Sequence, residues 1–380
     1  MSEDSNHVTG VNTQATGTQE SPTAQAQPSP QPEAPTPAPQ QTAPEPVIPT
    51  KGDMSKYAGL DIGTMNIIAS RQTGDKVDTK RIRDVFIDLT QEQVKMLKLS
   101  GDTSFVEKDG LCYVLGDDAA NIANIFGRQL RAPLNKGVIS AGEIEAMEIL
   151  KVMVGETLGQ APEGGGFCFV SSPGDPIDND FDALYHQAVV TDIVESYGWD
   201  VETASESTAM AYSECASSQF TGLNISCGHG MTNVSLVFKT IETLKFSVAR
   251  GGYWLDEQTA KVTGKTPSQI CAIKEMGVDL LNPVGKEQQA LAVYYKHFIK
   301  YVIHNFIQKF RQISGNIALP DDIPCVIAGG TSKPKGFVDL VKQAINKEKG
   351  FPFPISEVRQ AADPLNSISR GLLIMAQNQG

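Results

Sequence analysis

Two short glycine turns, each set between apolar runs, do most to limit what this 380-residue chain can fold into. In the first, "KYAGLDIGTMNIIAS", Ala58, Leu60 and Ile62 alternate. A turn carrying Asp61, Gly63 and Thr64 comes next, then Ile67, Ile68 and Ala69. The second, "NISCGHGMTNVSLV" from Asn224, has Gly228 and Gly230 around His229, then Thr232 and the apolar Val234, Leu236 and Val237. Apolar alternation on both sides of a glycine turn predicts a β-hairpin. Two such hairpins about 160 residues apart predict a duplicated α/β architecture with one glycine turn in each half.

The segments between and after the hairpins fit that scheme. "GEIEAMEILKVMVGETL" from Gly142 has apolar residues at helical spacing, "FCFVSSP" from Phe167 reads as a buried strand, and "YHQAVVTDIVESYG" from Tyr185 is helical. Lys286 to Ser314 reads as a long amphipathic helix with Leu291, Tyr295, Phe298, Val302 and Phe306 on one stripe, expected in the core. "PCVIAGGTSKPKGFVDLVKQAI" from Pro324 predicts a strand, a double-glycine turn and a helix that the turn itself opens.

Residues 1 to about 53 differ from the rest. Ten of the chain's 22 prolines fall there among Gln, Thr, Ala and Ser, and the first aromatic residue is Tyr57. Such a segment buries too little apolar surface to offset its ordering entropy, so a disordered tail is expected, either a spacer or a docking arm for a protein partner. Met54, just past this segment, is a candidate alternative start. The net charge of −12 argues against nucleic acid as the main partner. Six cysteines without a C-x-x-C pair fit a reduced, cytoplasmic protein with no disulfide framework and no cysteine metal site. No apolar run reaches the length of a membrane span, neither terminus reads as a membrane anchor, and the start lacks the features of a signal peptide.

Three loops in a fixed order carry the chemistry. Asp61, Gly63 and Thr64 offer a carboxylate, exposed amides and a hydroxyl, which suits β- and γ-phosphates with Mg2+. Gly228, His229, Gly230, Met231 and Thr232 offer a second amide cradle. Gly329, Gly330 and Thr331 lack bulk, so an adenosine and its α-phosphate can approach the backbone. The "TGKT" at Thr263 to Thr266 imitates the end of a P-loop. Thr259 stands where that pattern needs its first glycine, so chance accounts for it.

This loop order resembles the superfamily of actin, seventy-kilodalton heat-shock chaperones and sugar kinases, and within it the MreB-type bacterial actins. "GLDIGTMNIIAS" is similar to their first phosphate motif and "RAPLNKGVISAGEIEAMEILK" to the return from a small outer subdomain. "ASESTAMAYS" resembles their connecting motif, "RGGYWLDEQTAK" the start of the second outer subdomain, and "DPLNSISRGLLIMA" the closing helix. The likeness covers about 57–376. It implies a duplicated, ribonuclease-H-like fold of two α/β lobes with ATP or ADP and Mg2+ in the cleft between them. Lobe I would run over 54–222, with a small outer subdomain near 80–130. Lobe II would run over 223–380, with another near 251–320. Asp61 would approach the metal through water, and Glu206 would orient the attacking water. Lys274 falls where the family contacts ribose, with Cys271 or Ile270 in place of the usual acidic companion; it is otherwise a surface lysine. The resemblance also implies self-association into cytoskeletal filaments. A non-polymerising actin-fold scaffold is the alternative.

One departure bears on activity. The second phosphate loop of the family reads Asp-x-Gly-Gly-Gly-Thr-Thr. Here Ser226 replaces the Asp, His229 a glycine and Met231 a threonine. His229 either reaches a phosphate as imidazolium or fills the turn. Loss of a charged group beside a metal site costs about 10–100-fold in affinity or activity, so slow hydrolysis is expected.

Overall fold

The first hairpin forms as β1 (Tyr57–Ile62) and β2 (Asn66–Thr73), and β3 (Lys76–Arg83) extends it antiparallel. A small sheet follows, made by β4 (Phe86–Leu89), β5 (Phe105–Lys108) and β6 (Leu111–Leu115). It carries α1 (Gln91–Lys98) and α2 (Gly116–Ile122). The ribbon β7 (Leu134–Asn135) and β8 (Val138–Ile139) leads to α3 (Ala146–Thr157), β9 (Gly166–Ser172), α4 (Ala183–Glu195), β10 (Trp199–Ser205) and α5 (Glu206–Glu214). The second half opens with β11 (Gly222–Cys227), β12 (Thr232–Phe238) and β13 (Ile241–Val248). Next come α6 (Gly252–Thr263), α7 (Pro267–Met276) and α8 (Gly285–Ile313), then β14 (Ile323–Ala328), α9 (Phe337–Lys347), β15 (Ile355–Gln360) and α10 (Ser367–Gln379). This computed structural model describes residues 56–98, 105–123, 125–140, 142–179, 183–313 and 323–379, all in one compact unit. The expected tail over 1–53, Met54, and the end of the long helix at Ser314 lie outside the described residues.

The duplication is visible in the sheets. One has the order β3-β2-β1-β9-β10, the other β13-β12-β11-β14-β15. In each, the first three strands form an antiparallel meander and the last two run parallel to the meander's first strand. β11 and β14 are buried along their whole length, as strands covered on both faces must be. The edge strand β3 instead carries Lys76, Asp78, Lys80, Arg81 and Arg83, charges that discourage pairing with another chain.

Each lobe has its own core. The first packs Leu60, Ile67, Phe86, Leu150, Met153 and Trp199. The second packs the stripe of α8, including Tyr295, Phe298 and Phe306, against Phe337 and Phe353, so those aromatics are core as expected. Burying each such side chain contributes about 1.5–3 kcal/mol. Between the sheets a third cluster joins Phe169, Met210, Val237, Val326, Ile368 and Leu372. There α5 packs on β11 and β12, while α10 returns from the C-terminal end onto β1 and α5. Each half of the chain thus supplies a helix to the other half's sheet.

Two local expectations change. The helical periodicity from Gly142 becomes α3 only at Ala146. Glu143 and Glu145 are drawn to Arg131, whose guanidinium lies 2.6 and 2.7 Å from them, and residues 142–145 stay in turns. The third glycine turn does not open a helix directly. Gly330–Ser332 form one 3-10 turn and α9 starts at Phe337, because Pro334 has no N–H and Gly336 is left-handed at φ 85°. The helix dipole therefore does not point from those glycines, and only their backbone openness remains as an attraction for a ligand. Among the described residues no helix is long and apolar enough to cross a membrane.

Candidate functional site

The three glycine turns lie at the same ends of their central strands, facing each other across a cleft of about 880 Å3. Asp61, Gly63, Thr64, Glu206, Ser226, Gly228, His229, Gly230, Lys274, Gly329, Gly330 and Thr331 all line it, and so does Met231. Of the residues expected from sequence only Thr232 does not. It is fully buried and its hydroxyl donates to the Arg250 carbonyl at 2.8 Å, holding β12 to the start of the next segment.

Local bonding explains why the turns sit where they do. Gly63 N–H closes the first turn on the Asn66 carbonyl at 3.0 Å, and Ile62 N–H donates to Ser171 Oγ at 2.9 Å, tying it to the end of β9. Gly228 N–H closes the second turn on the Met231 carbonyl at 2.9 Å. The first N–H groups of α6, from Gly252 and Tyr253, donate to the carbonyls of Gly228 and His229 at 3.0 and 2.8 Å, backing that turn from behind. Thr331 Oγ1 donates to the Gly228 carbonyl at 2.8 Å and joins the third turn to the second. At two positions only glycine fits. A Cβ on Gly230 would stand 2.5 Å from Thr64 Oγ1 and 2.9 Å from Gly137 N, across the cleft. Gly329, at φ 89°, would drive a Cβ into the Cys227 backbone.

The electrostatics combine a buried acidic pair with basic walls. Burial pushes the Asp61 and Glu206 carboxyls well above the usual carboxylate range, and for Glu206 the facing Asp61 adds to the shift. Ser171 holds Asp61, and Ser226 Oγ donates to Glu206 Oε2 at 3.1 Å. Arg81, Arg83, Lys274, Lys333 and Lys335 line the walls. No group of three or more His, Cys, Asp or Glu side chains among the described residues makes a metal cage. Two carboxyls do fit Mg2+, which is usually held by one or two carboxylates with phosphates and water. Such an ion would restore the charge that burial disfavours.

His229 is neutral here. Burial, with the charges of Lys274 and Arg83, lowers its pKa to about 4, and its ring meets Tyr253 edge-on. Lys274 is no surface lysine: its side chain is 10% exposed and its Nζ lies 2.8 Å from Asp256 Oδ1, on a residue 1% exposed. Nζ also donates to the Gly252 carbonyl at 2.9 Å. Lys274 thus has an acidic partner, and it comes from α6, 18 positions upstream. Sequence reasoning also missed Gly137 and the pair Arg83–Glu275, at 3.4 Å across the cleft. The "NKG" turn signal at Asn135 to Gly137 marked a hairpin, and nothing local marked what it would face.

Solved structures share the fold. A MamK double helical filament aligns with TM-score 0.64 at 16% identity, over 84% of this chain and 98% of that one. MreB 5 of Spiroplasma citri bound to AMPPNP aligns with TM-score 0.60 at 15% identity, over 85% and 96%. A non-polymerising MamK mutant bound to AMPPNP gives TM-score 0.52 at 15% identity, over 84% and 98%. The fold is therefore the actin-like one expected from the loop order. No curated protein sequence matches the chain. The sequence profile of one family, Volactin, matches residues 56–376, nearly the whole of the described body, and the chain belongs to that family.

Proposed function

We propose that the cleft binds ATP or ADP with Mg2+, and that the protein is a cytoplasmic, actin-like cytoskeletal protein that assembles into filaments and hydrolyses ATP slowly. The observation that carries this reading is the meeting of three glycine turns around one buried carboxyl pair. The likeness to a MamK filament and to AMPPNP-bound relatives supports it.

In this reading the Gly230 amide and the Thr64 hydroxyl hold the phosphates, while the amides of Gly63 and Gly228 close their turns and shape the space. Gly329, Gly330 and Thr331 admit the nucleoside, and Asp61 meets the ion through water. When bound, Mg2+ neutralises the phosphate oxygens. Glu206 accepts a proton from, or orients, the attacking water. Lys274 is committed to Asp256 and Gly252, so its service to a ribose is limited to the donor capacity left over. Ser226 gives Glu206 a hydrogen bond but no charge to the metal region, hence the slow rate. The lobes near 54–222 and 223–380 would turn about the junction helices, with the nucleotide biasing their angle and so the contacts between subunits.

Negative-stain imaging and pelleting with and without Mg-ATP, beside a single-turnover assay, test this directly. Filaments that depend on nucleotide, with turnover below ordinary actin-like rates, are expected. Rapid turnover would remove the slow-hydrolysis part. Ser226 favours one other reading, a non-polymerising scaffold that binds a protein partner through its tail; a nucleotide-bound monomer under every salt condition would select it.

A further inference from the structure

A row of buried polar residues crosses the second sheet where apolar ones would be expected. Ser226 on β11 pairs with Asn233 on β12, and Asn233 pairs with Ser247 on β13. Directly paired residues of antiparallel strands point to one face. All three are at most 1% exposed. At one end of the row Ser226 donates to Glu206. At the other, Ser247 Oγ donates to the Gly174 carbonyl at 2.8 Å.

Gly174 belongs to the segment 173–178 that leaves β9 and docks on the edge of β13. Ser247 N–H donates to the Asp175 carbonyl at 2.8 Å, and Ile177 N–H to the Ser247 carbonyl at 3.1 Å. Asp178 accepts from Ala249 N–H at 2.7 Å and from the Tyr301 hydroxyl at 2.9 Å. This strap therefore fastens the first lobe to the second. In the middle of the row, Asn233 Oδ1 accepts Gly174 N–H at 2.8 Å. That bond fixes which end of the amide faces the strap and turns Nδ2 the other way.

Nδ2 faces the Glu206 carboxyl, whose charged form it favours, yet it makes no well-formed hydrogen bond among the described residues. A buried donor left unspent is costly to the fold and asks for an explanation. We infer that Asn233 is a positioning residue for Glu206, its amide locked by the strap so that the donor is held for the carboxylate when the cleft closes on its nucleotide. This rests on Glu206 acting on water, as proposed above. It goes further in assigning Asn233 a role and in making the arrangement of Glu206 depend on how the strap joins the lobes.

Asn233→Asp keeps an oxygen for Gly174 N–H and turns the donor into an acceptor. In the full chain it should lower the single-turnover hydrolysis rate about 10- to 100-fold, with nucleotide Kd within about twofold of wild type. Ser247→Ala touches no reacting atom; it should slow hydrolysis less, and should add little to Asn233→Asp in a double-mutant cycle. Asn233→Ala, which adds no charge, carries the same expectation if the aspartate variant fails to fold. A rate within twofold of wild type overturns the inference. So does a parallel fall of rate, affinity and melting temperature, which marks a merely structural role, and so do independent effects at Asn233 and Ser247. A wild type that binds nucleotide without turnover removes the role of Glu206 and this inference with it. A wild type that binds none removes the nucleotide site itself.

Discussion

At Ser226 a hydroxyl stands beside a buried carboxyl where a charge would be more useful to a metal ion and less welcome to the fold. Its 3.1 Å hydrogen bond steadies Glu206 without adding a third negative group to a pocket that already pushes two carboxyls upward. Ser226→Asp reverses that balance. Without ligand, three carboxyls share one desolvated site, and the melting temperature should fall by several degrees. With Mg-nucleotide the added charge faces a cation, and hydrolysis should rise about 10- to 100-fold, the scale of charged groups next to metal sites. Thermal melts with and without Mg-ATP, beside single-turnover rates, check both halves; a variant with unchanged Mg2+ dependence would place residue 226 outside the metal's surroundings. Much at this scale could be read in advance, because glycines, hydroxyls and carboxylates at strand ends are local signals. The inward turn of Thr232 and the neutral state of His229 could not be, since each depends on a partner in another segment, Arg250 in one case and Lys274 with Arg83 in the other.

Helices α6 and α7 show why the rest was not legible. Their tie is the ion pair Lys274–Asp256, one partner 10% and the other 1% exposed, and neither residue carries a mark that names the other. The family likeness placed an outer subdomain near 251–320 but not which helix faces meet, and the apolar run marked β9 but neither β13 nor the strap that docks on it. Removing one member of a buried pair leaves the other charge uncompensated, at a cost of about 3–5 kcal/mol. Lys274→Ala should therefore lower stability by that order in denaturant unfolding, while Asp256→Leu with Lys274→Met should recover most of it. The loss has a pH sign. Burial already pushes the Asp256 carboxyl up to about 6, above its ordinary value, against the opposing pull of Lys274. Without Lys274 it rises further, so the folded state holds a proton that the unfolded state releases. Stability of the variant is then highest at low pH and falls as pH rises through the folded pKa. The gap from wild type should be smaller at pH 5.5 than at pH 8, and a gap that widens toward acid would contradict the uncompensated charge.

Across the whole molecule the lobes meet at different depths, and the depths differ in what they permit. Deep down, α5 and α10 cross in an apolar cluster and the strap is hydrogen-bonded to β13, contacts that the proposed turning of the lobes would keep. Farther out, the end of β3 reaches α7 through Arg83–Glu275 at 3.4 Å, with side chains 27% and 55% exposed. Both residues line the cleft, so on the proposed nucleotide reading opening would break this pair before the nucleotide leaves. An ion pair this exposed is worth about 0.2–1 kcal/mol, which is a latch and not a lock. Glu275→Ala or Arg83→Ala should then speed release of a fluorescent ADP about 1.4- to 5-fold at low salt, the change that this energy allows. Salt should shrink the difference, because screening near 1 M acts over roughly 3 Å. Exchanging the charges, Arg83→Glu with Glu275→Arg, should restore slow release, since attraction across the gap is kept while each residue's other contacts are lost. Single variants that release ADP at the wild-type rate in low salt would show that closure is held by the loops at Thr64, Gly137 and Gly230 alone.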